Sequence, residues 1–71
     1  MTVNSRKLIG KIYEKGFTRT SFAKEIGITR QTLRNYLNQP KFIPYSVIVS
    51  IINTLDLTEN ELFEILFAKE G

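Results

Sequence analysis

Two arginines in this chain occupy the least hospitable end of a helix for a cation. Arg19 follows Thr18 and Arg30 follows Thr29, and each Thr sits between apolar residues, Phe17 with Phe22 and Ile28 with Leu33. That spacing predicts a helix start in which the Thr hydroxyl caps free N–H groups and the apolar pair staples across the cap. A third copy, Leu57-Thr58-Glu59-Asn60-Glu61-Leu62, is built conventionally. Its carboxylates meet the positive end of the helix dipole, and Glu61 completes a capping box with Thr58. In the first two copies an arginine stands against a dipole term of about 0.3–1 kcal/mol. Something negative belongs there, and a phosphate fits, because free N–H groups beside an arginine at a helix start form an anion site.

Much other chemistry is removed by composition. The chain has no Cys and no His, which takes away thiol and imidazole catalysis, disulfide frameworks and ordinary zinc sites. No nucleophile–base pair or metal constellation is visible, so no enzyme, cofactor, metal or small-molecule ligand is expected. The 71 residues suffice for one small domain spanning 1–71, near the lower limit for a single core. The longest apolar stretch, Phe42 to Ile52, contains Pro44, Tyr45 and Ser46 and falls short of the roughly 17–25 residues that cross a bilayer. Met1 to Lys7 leads into a helical pattern and not a secretory leader, so no membrane association and a cytoplasmic location are expected.

Charge is distributed unevenly. The first 41 residues hold nine basic and two acidic side chains, a net of +7, whereas the last 30 hold one basic and five acidic, a net of −4. A basic half of this kind suits a polyanion, although Lys7, Lys11, Lys15 and Lys24 taken singly are better read as solvated surface.

The elements that must carry these residues follow from apolar spacing. Leu8, Ile9, Ile12 and Tyr13 predict a helix over about 4–15, stopped by Gly16. Phe22, Ala23 and Ile26 predict a short helix over 18–26 ending at Gly27, and Leu33, Tyr36 and Leu37 a third over 29–38, closed by Pro40. The β-branched run Ser46 to Ile52 is locally strand-like, but residues 47, 48, 51, 52 and 55 share one helical arc, giving a fourth helix over 44–55 with Pro44 in its first turn. A fifth covers 58–69. Five short helices with brief connections make an all-α domain, with a core expected from residues 8, 12, 17, 22, 26, 33, 36, 37, 48, 51, 52, 55, 62 and 66.

Arg19 to Asn38 fit a helix-turn-helix of twenty positions. Small Ala23 lets two helices cross closely, Gly27 permits the sharp turn, and Ile28 and Leu33 lock the second helix onto the first. On Phe22-Ala23-Lys24-Glu25-Ile26-Gly27-Ile28-Thr29, continued through Arg30-Gln31-Thr32-Leu33, the chain resembles the Cro/C1-type helix-turn-helix family of phage repressors, over about Leu8 to Phe67. Pro40-Lys41-Phe42-Ile43-Pro44 is similar to the basic loop that lambdoid repressors place on the DNA backbone. The resemblance implies a compact five-helix lambda-repressor-like fold, with the third helix in the major groove.

Position by position, the resemblance assigns base reading to Arg30, Gln31, Thr32, Arg34 and Asn35. Their chemistry agrees: Arg matches guanine O6 and N7, Gln and Asn match adenine N6 and N7, and a Thr methyl meets the thymine methyl. Helical projection independently puts Gln31, Arg34, Asn35 and Asn38 opposite Leu33, Tyr36 and Leu37. The alternative for this face is plain solvation of an amphipathic helix, and Thr32 has a second alternative as an aid to capping. DNA-backbone contacts are expected from Thr18, Arg19, Thr29, Asn38 and Lys41, which set register.

The expected activity is that of a sequence-specific transcriptional regulator, a Cro-like repressor from a phage or prophage acting in the bacterial cytosol or nucleoid. Its expected partner is a pseudo-palindromic double-stranded operator bound by a homodimer. Leu62, Phe63, Ile65, Leu66 and Phe67 cover about 200° of the fifth helix by projection, more than one core-facing stripe needs. Phe63 and Phe67 are therefore candidates for self-association, the alternative being burial in the chain's own core. A competing class is a protein-binding module on the same scaffold, such as an antirepressor, a modulator or an antitoxin-like partner.

Overall fold

Residues 3–66 are described by the computed structural model. Five helices follow one another, with no strand among the described residues: α1 (Ser5–Glu14), α2 (Arg19–Glu25), α3 (Arg30–Asn38), α4 (Tyr45–Leu55) and α5 (Glu59–Leu66). A 3-10 turn, Pro40–Phe42, links α3 to α4. Each helix starts one residue later than its periodicity predicts, because the residue counted first is the cap. Asn4, Thr18, Thr29 and Pro44 keep extended backbone, with ψ of 100°, 171°, 160° and 151°. Their carbonyls nevertheless accept the first helical hydrogen bond, from Leu8, Phe22, Leu33 and Ile48. The predicted extension of α5 through 67–69 lies outside the described residues.

The helix connections repeat one device. After α1, Gly16 takes a φ of +94°, its N–H donates to the Tyr13 carbonyl, and the Phe17 N–H donates to the Ile12 carbonyl. After α2, Gly27 takes +84° and the same two bonds run from Gly27 to Lys24 and from Ile28 to Ala23. This is the paired closure of a Schellman motif, which satisfies the last free carbonyls. After α4 the bonds recur, Asp56 to Asn53 and Leu57 to Ile52, with Asp56 in the left-handed position at φ 52°. The apolar residue that closes one helix is also the one that precedes the Thr cap of the next, at Phe17-Thr18, Ile28-Thr29 and Leu57-Thr58. A methyl group at Gly27 would meet nothing within 4 Å, so backbone conformation, and not space, is what requires a glycine there.

The core draws on all five helices. Leu8, Ile12, Phe22, Leu33, Leu37, Ile48, Ile51, Leu55 and Leu66 are buried as expected, together with Ala23. Phe17, Ile26, Tyr36, Ile52 and Leu62 are half-buried against them, and the Phe17 and Phe22 rings meet edge-on at 5.5 Å between centroids. Val3, Ile43 and Ile65 join the core, which the periodicity did not single out. Ile65 belongs to the broad apolar arc of α5 but was not among the expected core residues. It faces inward, and its carbonyl accepts the Asn4 N–H at 2.7 Å. Its partner in that arc, Phe63, is 58% exposed.

Two further contacts fix the ends of α1 to its neighbours. Ser5 Oγ donates to the Leu37 carbonyl at 2.6 Å, reaching from the start of α1 to the last turn of α3. On the other side, Lys11 Nζ lies 2.9 Å from Glu61 Oε2 and 3.2 Å from Glu14 Oε1, and Lys15 Nζ lies 3.5 Å from Glu61 Oε1.

Candidate nucleic-acid interface

Packing of α2 against α3 buries Leu33 and Leu37 and turns the opposite side of α3 outward. Arg30, Gln31, Arg34, Asn35 and Asn38 are exposed there, in agreement with projection. The two caps hold as the sequence requires. Thr29 Oγ1 accepts the Thr32 N–H at 3.0 Å, and Thr18 Oγ1 accepts the Ser21 N–H at 3.1 Å. Ser21 Oγ returns the favour by accepting the Thr18 N–H at 2.9 Å, so α2 has a capping box with serine where glutamate is usual. Neither α2 nor α3 has an acidic residue in its first turn, and α5 has two.

A cleft of about 660 Å³ gathers the candidates from separate elements. Arg19 of α2 and Arg30, Gln31, Arg34 and Asn38 of α3 line it, over an apolar floor of Ile9, Leu33 and Leu37. Asn35 lines a smaller hollow of about 340 Å³ with Tyr36, Asn38, Gln39 and Phe42, so Asn38 borders both. Gln31 Nε2 donates to Asn35 Oδ1 at 3.1 Å, joining the two amides across one helical turn.

Four candidates are placed differently from the reading group. Thr32 is half-buried, and its hydroxyl accepts from Thr29 Oγ1 at 2.8 Å, so its polar atom serves the cap. Lys41 lies beyond the cleft, on the 3-10 turn, with its ammonium 5.4 Å from the centre of the Phe42 ring. Thr18 and Thr29 are occupied as caps but remain exposed beside Arg19 and Arg30. Phe67 lies outside the described residues. The aromatic corner of Phe42 and Tyr45, 63% and 75% exposed, was not foreseen. Its signal was present in sequence as two rings within three residues of Pro44.

The electrostatics separate two groups of cations. Lys11 and Lys15 are neutralised by Glu61 and Glu14 on the side of α5. The Glu61 carboxyl is held at about 2, well below its ordinary 4.5, first by the Thr58 N–H and then by the Lys11 ammonium; that ammonium is in turn pushed up by Glu61. Arg6, Lys7, Arg19, Lys24, Arg30, Arg34 and Lys41 form no ion pair among the described residues. Lys11 and Lys15 are thus paired within the chain, whereas Arg19, Arg30 and Arg34, without such partners, border one cleft.

Compared with known families, the chain matches the model for the Cro/C1-type HTH DNA-binding domain over residues 7–67. It belongs to that family. No curated protein and no solved structure matches the chain. Membership in the Cro/C1-type family makes it a DNA-binding regulator with an all-α helix-turn-helix fold, α2 and α3 forming the motif. The matched span contains every residue of the cleft and the Thr18 and Thr29 caps beside it. No helix among the described residues is long and apolar enough to cross a membrane.

Proposed function

We propose that this Cro/C1-type chain is one small domain that reads a pseudo-palindromic operator as a homodimer and represses transcription, as a Cro-like regulator of a phage or prophage. The reading rests on one observation: on the outward side of α3 two arginines without counter-ions stand among three amides, and a third such arginine, Arg19 of α2, borders the same cleft. In this scheme α3 enters the major groove. Arg30, Gln31, Arg34 and Asn35 meet base edges, with Thr32 near the groove floor, while Thr18, Arg19, Thr29, Asn38 and Lys41 hold the phosphates. The exposed Phe63 of α5 and, four residues on in sequence, Phe67 are the proposed self-association residues, within the last 30 residues where five of the seven acidic side chains lie. A DNA-bound regulator of this kind works in the bacterial cytosol or nucleoid.

Selection of bound duplexes from a random pool, followed by titration of salt on the enriched duplex, tests this. An enriched palindrome and a steep fall of log K with log salt, close to −0.9 per neutralised phosphate, are expected. The exposed rings of Phe42 and Tyr45 favour a second reading, a protein-binding module that docks beside α3. That reading expects no enriched duplex and a weak dependence on salt.

A further inference from the structure

The bond between Gln31 and Asn35 does more than tidy an exposed surface. A glutamine amide free to rotate presents its oxygen and nitrogen in either order, and so selects bases poorly. Here Nε2 is committed to Asn35 Oδ1 at 3.1 Å, and neither amide has another side-chain partner. The neighbouring Arg30 and Arg34 carry donors and no acceptor, so neither competes with the Asn35 oxygen for Nε2. Gln31 keeps Oε1 and one Nε2 proton for a ligand, and Asn35 keeps both of its amide protons.

Resting on the DNA-reading proposal above, we propose that Asn35 is a positioning residue that fixes the Gln31 amide in the order that accepts adenine. Adenine displays an acceptor, N7, beside a donor, N6, in the major groove, and the held amide matches both. Guanine displays two acceptors there, and one of them would meet Oε1. Thymine and cytosine each offer a single polar group, so they satisfy only half of the amide. Asn35 thereby sets the preference at a base pair read by Gln31, while its own amide protons serve the adjacent pair.

Duplexes selected from a random pool by the wild-type chain and by Gln31→Ala, Asn35→Asp and Asn35→Ala test this, each variant being checked for its helical spectrum and melting. Position 35 is exposed, and none of these changes introduces a glycine or proline. The position relaxed by Gln31→Ala is expected to be adenine in the wild-type site. Aspartate can only accept, so Asn35→Asp should weaken binding overall and yet keep that adenine. Asn35→Ala should lower the preference for it by about fivefold or more, the lower end of what a bidentate contact is worth. Another base under Gln31, or an adenine preference untouched in Asn35→Ala, overturns the inference while leaving the DNA-reading proposal standing. A wild-type pool with no enriched duplex overturns both.

Discussion

The Ser5 hydroxyl donates to the Leu37 carbonyl at 2.6 Å, spanning 32 residues to join the first turn of α1 to the last turn of α3. Helix ends fray because their final carbonyls lack partners, and here one of those carbonyls is satisfied from another helix. The bond is part-buried, next to the buried Leu37. Ser5→Ala should cost about 0.5–1.5 kcal/mol in thermal or urea unfolding. Amide exchange should quicken in the last turn of α3 more than in α4. Equal protection of both helices in the variant would mean the bond does not hold that end.

Arg19 and Arg30 should be dispensable for folding. Both follow a Thr cap, form no ion pair among the described residues and oppose the dipole of their own helix. Replacing either with Glu should leave melting unchanged or raise stability by about 0.3–1 kcal/mol. Binding to duplex DNA should be abolished at moderate salt. A clear drop in melting temperature would show that these arginines are structural.

The third Schellman turn carries a residue poorly suited to it. Asp56 holds the left-handed position that Gly16 and Gly27 hold in the other two. Asp56→Gly should raise stability by roughly 0.5–1 kcal/mol, since a side chain there strains the backbone. Gly27→Ala should lower stability by a comparable or larger amount, although its methyl would meet no atom within 4 Å. Matched urea unfolding curves of the two variants check both signs.

Acid should unfold the chain partly through Glu61. Its carboxyl sits at about 2 in the folded chain against an ordinary 4.5, held by the Thr58 N–H and by Lys11. A depressed acid contributes stability that is fully present above pH 4.5 and is lost as pH falls toward 2. Glu61→Gln keeps an acceptor for Thr58 but does not titrate. Its stability should vary less with pH across that window than that of the wild-type chain, as followed by melting at fixed ionic strength.

Periodicity made the five helices and the motif legible, because Leu33 and Leu37 define the inner side of α3 and so the outer side as well. Ile65 was missed from the core for a related reason. Projection of α5 measures how wide an apolar arc is, and cannot see that the chain around Val3 and Asn4 returns to cover part of it. Lys11 and Lys15 were ambiguous because their partner Glu61 lies 50 and 46 residues away in sequence. The Ser21 capping box escaped because serine replaces the glutamate that marks such boxes, and Asp56 escaped because a left-handed helix stop is sought at glycine.

In the three recurring turns a single apolar side chain both ends one helix and anchors the beginning of the next. Such joints have no slack, so an inserted residue at any of them would move a helix as a rigid lever. The stretch from Gln39 to Pro44 is built otherwise, around a 3-10 turn, and a change of length there would disturb neither a Schellman closure nor a Thr cap. Rewriting the exposed positions of α3 leaves both kinds of connection untouched, which makes target preference and foldability separately adjustable in this chain.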